Sequence, residues 1–320
     1  MSIIQELEWS VVSDSIRRQT LRFLLTLIII APASTAAESF RVFILAGQSN
    51  MQGQGVVEMD HPKYYNGGKG NLVWSMQHSR SKDMMKHLRD KDGNWVTRDD
   101  VHISYKVKEK VRSGKLTIGY TGYGGHSHIG PELQFGHVIG DHFNEPVLLI
   151  KTAWGGKSLQ KDFRPPSSDG DVGPFYKQMV EEVRSALKDT RNYELCGFIW
   201  MQGWNDMVSR EAIAEYDQNL INLAADIRKE FGQPGLPFIV GELGNGGPAR
   251  RDSSMELFRA AQKRGTEKIA NSVFVKTSQF ARPSDLSPNV THGHHWFGNA
   301  ESYFLVGDAL GKATVKLLRE

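Results

Sequence analysis

The sequence predicts a three-layer α/β/α domain around a central parallel sheet of about five strands. Three observations carry that expectation. Short apolar, β-rich runs recur at 40–46, 147–153, 196–201, 237–241 and 272–277. Helix-like stretches separate them, and strands alternating with helices build a parallel sheet covered on both faces. A length of 320 residues, 39% hydrophobic and 23% charged, suits one large globular domain.

The elements follow in chain order. Arg17, Arg18 and Arg22 precede the apolar stretch 23–31, and small residues occupy 33–37. A basic region, a short apolar core and a small-residue site read as a secretory signal over residues 1–37, cut after Ala36 or Ala37. The apolar core is too short for a comfortable membrane span. The mature chain is therefore expected to be secreted or periplasmic, with no stable membrane insertion. One domain is expected over 38–320. Its only cysteine, Cys196, lies in an apolar run and reads as a small buried hydrophobe, so no internal disulfide is available.

The first apolar run stops at Gly47, and Ser49-Asn50 follow at once. This pattern predicts a strand, a tight turn and a helix start, which puts Ser49 at a strand's carboxyl end. Ligands bind there in open α/β sheets. A serine in this place is either a nucleophile or a helix N-cap. A polar insertion at about 56–123 breaks the rhythm, and it reads either as a wall of a binding site or as a surface excursion with small hairpins of its own. Helices are expected at 131–139, at 173–187 with Pro174 in the first turn, at 209–231, at 254–269 behind Ser253 and Ser254 as caps, and at 299–318.

Charge excludes one class of partner. Lys+Arg 39 against Asp+Glu 36 gives a net charge of +3, and no basic run is present, so nucleic acid is not an expected partner.

Candidate chemistry recurs at the other strand ends. The second run ends at Ala153-Trp154-Gly155-Gly156-Lys157-Ser158, where backbone N–H groups of the glycine pair can face a ligand. Gly-Lys-Ser invites comparison with a phosphate loop, but the glycine that loop needs upstream is Lys151 here, so that reading is rejected. The third run ends at Gln202-Gly203-Trp204-Asn205-Asp206; an Asn amide beside a backbone N–H makes a good oxyanion donor pair, and loop capping is the plainer reading. After the last run comes Asn289-Val290-Thr291-His292-Gly293-His294-His295-Trp296. Adjacent side chains rarely converge on one ion, and no acidic or Cys partner is spaced nearby. The cluster is therefore not read as a metal site, and no cofactor is expected. An imidazole serving as general base for a serine hydroxyl fits better.

Together, Gly47-Gln48-Ser49-Asn50-Met51, Gly155-Gly156, Gln202 to Asp206 and the late histidine resemble the successive blocks of the SGNH hydrolases. The similarity is greatest to the sialate O-acetylesterase-like carbohydrate esterases. Gly130-Pro131-Glu132-Leu133, 173–176 and 299–307 are also similar to stretches of that group. The resemblance spans about residue 40 to the C-terminus and covers the insertion least. It implies a flavodoxin-like sheet and Ser49 as nucleophile. It also implies an oxyanion hole from the N–H groups of Ser49 and of Gly155 or Gly156 with the Asn205 side chain, and places Gln48 and Gln202 in the substrate-binding blocks. The family's closing Asp-x-x-His is altered here: His292 stands three residues before His295, and Asn289 three before His292. His295 is favoured as the base and His292 is the alternative. The orienting group is either Asp285, from the preceding loop, or backbone carbonyls.

The expected reaction is two-step acyl transfer on acetylated carbohydrate of the acetylxylan or sialate type. Trp154, Trp204 and Trp296 flank the site motifs and serve either as sugar-facing rings or as packing. Two other readings stay open: a non-catalytic carbohydrate-binding protein of the same fold, and a lipase or thioesterase of the superfamily. Oligomeric state is not legible.

Overall fold

The computed structural model describes residues 39–319. The expected signal segment lies outside them. The chain runs β1 (Phe40–Gly47), α1 (Ser49–Gln52), β2 (Gly55–Val56), α2 (Leu72–His78), β3 (Val101–Val107), β4 (Lys110–Lys115), β5 (His128–Ile129), α3 (Glu132–Gly140) and β6 (Val147–Ala153). It continues through α4 (Pro174–Lys188), β7 (Tyr193–Met201), α5 (Trp204–Met207), α6 (Arg210–Glu230), β8 (Phe238–Gly241), α7 (Ser254–Glu267), β9 (Ser272–Val275) and α8 (Ala300–Leu317).

All five expected strands form, as β1, β6, β7, β8 and β9. They pair in parallel in the order β6-β1-β7-β8-β9. Numbered by their own succession this is 2-1-3-4-5, the flavodoxin-like order, with its switch point between β1 and β7. The sheet is wider than expected. Strands β3 and β4 extend it to seven, β3 parallel to β6 and β4 antiparallel to β3. Both come from the insertion, which therefore contributes to the main sheet. Their composition hid this: β3 buries only alternate residues and β4 is an edge strand rich in Lys and Arg, so neither reads as a continuous apolar run.

Helices α3 and α8 cover one face and α4, α6 and α7 the other, giving two cores. Phe43, Leu45, Phe135, Leu149, Tyr303 and Phe304 belong to the first; Ile44, Ile150, Trp200, Tyr216 and Phe258 belong to the second. Alternate residues of one strand thus feed opposite cores, which is why the central strands read as unbroken apolar runs. Cys196 is buried, and burial raises its thiol pKa to about 11.

One buried ion pair ties the core to the carboxyl edge. Lys151 in β6 donates to Glu132 Oε2 at 2.8 Å, to the Gln52 carbonyl at 2.9 Å and to the Tyr120 carbonyl at 2.8 Å. Glu132 Oε1 accepts from the Gly130 N–H at 2.9 Å. The two side chains are 0% and 1% exposed. Burial lowers the Lys151 pKa against the upward pull of Glu132. Because Gln52 ends α1, this cation clamps the short helix that begins at Ser49. Lys151→Ala strands the buried Glu132 carboxylate and frees two carbonyls. It is expected to cost about 3–5 kcal/mol of stability, read from urea unfolding.

Candidate active site

The site is built where β1, β6 and β7 end side by side. At the end of β1 the backbone runs against β7, with the Gln48 N–H donating to the Met201 carbonyl at 3.2 Å. A Cβ at Gly47 would collide with that carbonyl oxygen, so only glycine fits the turn. Ser49 then opens α1, placed at the switch point.

His295 Nε2 lies 2.9 Å from Ser49 Oγ. Of the three clustered histidines, the structure brings this one to the serine. His292 is exposed, and its ring lies 5.8 Å from that of His294; the His294 ring packs 4.1 Å from His295 and 5.6 Å from Trp204. Burial lowers the His295 pKa from the ordinary 6.5 to about 4, with smaller pushes in the same direction from His294 and then His292. The ring is therefore neutral near pH 7. A serine hydroxyl directed at a neutral imidazole is the arrangement general-base catalysis requires.

Among the described residues no carboxylate hydrogen-bonds or ion-pairs with His295. Asp285 is not brought to it. Its side chain is exposed, and its backbone carbonyl accepts from Asn66 Nδ2 at 3.0 Å. Asp285 sits in a short turn, 284–286, that the Asn66 bond ties to the insertion instead.

Gly155 comes close to the serine from the end of β6. A Cβ built on it would lie 3.7 Å from Ser49 Cβ and 3.1 Å from Gln52 Oε1. Asn205, in α5, donates through Nδ2 to the Gly156 carbonyl at 2.8 Å, so it stands beside the glycine pair. An amide nitrogen carries two hydrogens, and this bond uses one of them.

The two glutamines sit beneath this surface, each 2% exposed. Gln48 Oε1 accepts from the N–H groups of Gly203 at 2.8 Å and Trp204 at 3.0 Å, fixing the start of α5. Gln202 Nε2 donates to the Lys157 carbonyl at 2.8 Å and to Asp206 Oδ2 at 2.6 Å, and its Oε1 accepts from the Tyr216 hydroxyl at 3.0 Å. Both hold the loops that carry Gly155, Gly156 and Asn205. Asp206 belongs to the same scaffold: fully buried, it accepts from the N–H groups of Leu159 and Gln160, each at 2.9 Å. Burial raises its pKa to about 6, against the downward pull of these donors.

Trp296 is buried in the core, so it packs rather than faces a ligand. Trp154 leans on Phe163 and Phe175, and Trp204 is partly exposed beside His294. Sequence reasoning overlooked Asn50 and Tyr303, which bond to the histidine loop. Asn50 was adjacent to the serine and within reach of inspection; Tyr303 lies in an apolar helix, where nothing distinguishes it from packing.

Comparison with known proteins settles the family. The model of the carbohydrate esterases, sialic acid-specific acetylesterase, matches residues 39–315. The chain belongs to this family. It is thus an enzyme of the carboxylic ester hydrolase class. A probable carbohydrate esterase of Arabidopsis thaliana is 23% identical over 210 residues, which is 65% of this chain and 70% of that protein. The X-ray structure of an Arabidopsis thaliana protein superposes with a TM-score of 0.58 at 18% identity, over 87% of this chain and 98% of that one. NanS superposes with a TM-score of 0.55 at 14% identity, over 88% and 98% respectively. At these identities the superpositions speak for the fold alone.

Proposed function

We propose that this carbohydrate esterase removes O-acetyl groups through an acyl-enzyme on Ser49, with His295 as general base. The 2.9 Å approach of His295 Nε2 to Ser49 Oγ carries the reading. Ser49 Oγ passes its proton to His295 Nε2 as it attacks the ester carbonyl. The developing oxyanion is met by the N–H groups of Ser49 and Gly155 and by the free hydrogen of the Asn205 amide. The tetrahedral intermediate collapses by breaking the bond to the sugar oxygen, which takes the proton from His295 and leaves as the free hydroxyl, with the acetyl group now on Ser49 Oγ. A water molecule, deprotonated by the same imidazole, then attacks the acyl carbon; the bond to Ser49 Oγ breaks, Oγ takes the proton back from His295, and acetate leaves.

Acetylated carbohydrate of the acetylxylan or sialate type is the substrate class, supported by the family. Acetate release from acetylated xylan and from O-acetylated sialic acid tests it: release from neither would exclude both as the substrate class. The basic, apolar and small-residue succession at the N-terminus supports export, which N-terminal sequencing of the mature protein checks.

Two outcomes follow. Asn205→Ala removes one oxyanion donor and is expected to lower kcat by on the order of 10²–10³-fold with KM little changed. Wild-type kcat in that variant would remove Asn205 from the oxyanion hole. The second concerns pH. His295 accepts a proton only when neutral, so kcat/KM should hold down to mildly acidic pH and fall as pH drops through about 4. An acid limb centred at the ordinary histidine pKa would contradict the half-buried base.

A further inference from the structure

We infer that Asn50 and Tyr303 are positioning residues that hold the His295 imidazole against Ser49 through the backbone of its loop, in place of a carboxylate on the ring. The inference rests on the Ser49–His295 reading above. Asn50 Nδ2 donates to the His294 carbonyl at 3.0 Å. Asn50 Oδ1 accepts from the Tyr303 hydroxyl at 2.7 Å, and that hydroxyl also lies 3.3 Å from the His295 carbonyl. Both side chains are buried, 3% and 0% exposed. Donation from Tyr303 to Oδ1 fixes the amide so that its nitrogen faces the loop; a flipped amide would set oxygen against oxygen.

The loop needs such a bracket. Trp296 and Phe297 have φ of 53° and 54°, two consecutive bulky residues in the left-handed region. Backbone bonds brace the far side of this turn: Asn289 N–H to the Phe297 carbonyl at 2.7 Å, and Phe297 N–H to the His292 carbonyl at 3.0 Å. The near side, next to the reacting ring, is held by the His295 N–H bond to the His292 carbonyl at 2.9 Å and, from outside the loop, by Asn50 and Tyr303. Strain kept in place by surrounding contacts is a mark of functional loops. Asn50 directly follows Ser49, so one rigid unit carries both the attacking oxygen and the bracket for its base. The serine-to-imidazole distance is thereby set through two side chains.

Tyr303→Phe removes one hydroxyl and keeps the ring; Asn50→Leu removes both amide bonds and adds no charge. Steady-state kinetics on an aryl acetate should show kcat down about 10-fold in the first and on the order of 10²-fold in the second, with KM nearly unchanged. The acid limb of kcat/KM should also move from near pH 4 toward the ordinary histidine range as the imidazole leaves its half-buried seat. His292 and His294, the titratable neighbours of His295, are unaltered in both variants. A merely structural role would lower the amplitude in proportion to folded protein, measured by thermal melting, and leave the limb in place. That result overturns the inference, as does wild-type kcat in Tyr303→Phe, which decides alone should Asn50→Leu not fold. Turnover retained by Ser49→Ala overturns the underlying reading, and with it this one.

Discussion

Ser49→Ala is expected to lower turnover of an acetyl ester by on the order of 10⁴-fold or more, with KM and stability close to wild type. The size of the effect follows from what the hydroxyl does. Oγ is the attacking atom in the proposed reaction, and its side-chain bond is to His295 Nε2 at 2.9 Å. Alanine therefore removes the reacting group while leaving the Lys151 clamp, the Gly47 turn and the Gln48 bonds intact. The oxyanion donors also remain, so a small residual rate over water is expected. Unfolding by urea should show nearly the same midpoint for the two proteins. A variant that keeps more than a tenth of wild-type turnover would exclude Ser49 as the nucleophile.

His295→Ala should cost about as much as Ser49→Ala, and the double variant little more than either, because the two act as one unit. His292→Ala should stay near wild type, since that ring is exposed and lies beyond His294. Asp285→Ala should do the same, because its exposed carboxyl makes no bond to the imidazole. The contrast separates the candidates sharply. A large loss in His292→Ala or Asp285→Ala, measured as kcat on a soluble aryl acetate, would mean that the working geometry differs from the one described.

The order of elements was largely legible because it depends on apolar periodicity, and buried parallel strands carry that signal strongly. That β3 and β4 join the main sheet escaped because an edge hairpin half open to water has no such run; with Lys110, Arg112 and Lys115 it looks like a surface hairpin of its own. In the candidate site, Ser49, Gly155 and Asn205 were legible as strand-end residues, and the fold brings them together. The choice among His292, His294 and His295 was open to sequence only through spacing, and the loop's left-handed turn at Trp296 and Phe297 is not encoded by any glycine. Gln48 and Gln202 stood in the right blocks, yet burial makes them scaffold, and burial depends on which loops fold over them. Lys151 was visible only as the residue that spoils a phosphate loop. Its bonds to Glu132, Gln52 and Tyr120 join three segments distant in sequence, which no local pattern reveals.

The most direct test is stoichiometric labelling with a dialkyl aryl phosphate, an irreversible mimic of the acylation step, followed by peptide mapping. One phosphoryl group on Ser49, with activity lost in step with the labelled fraction and labelling abolished in His295→Ala, is the result expected here. Full activity in fully labelled protein, or inactivation with the label on another residue, would contradict it.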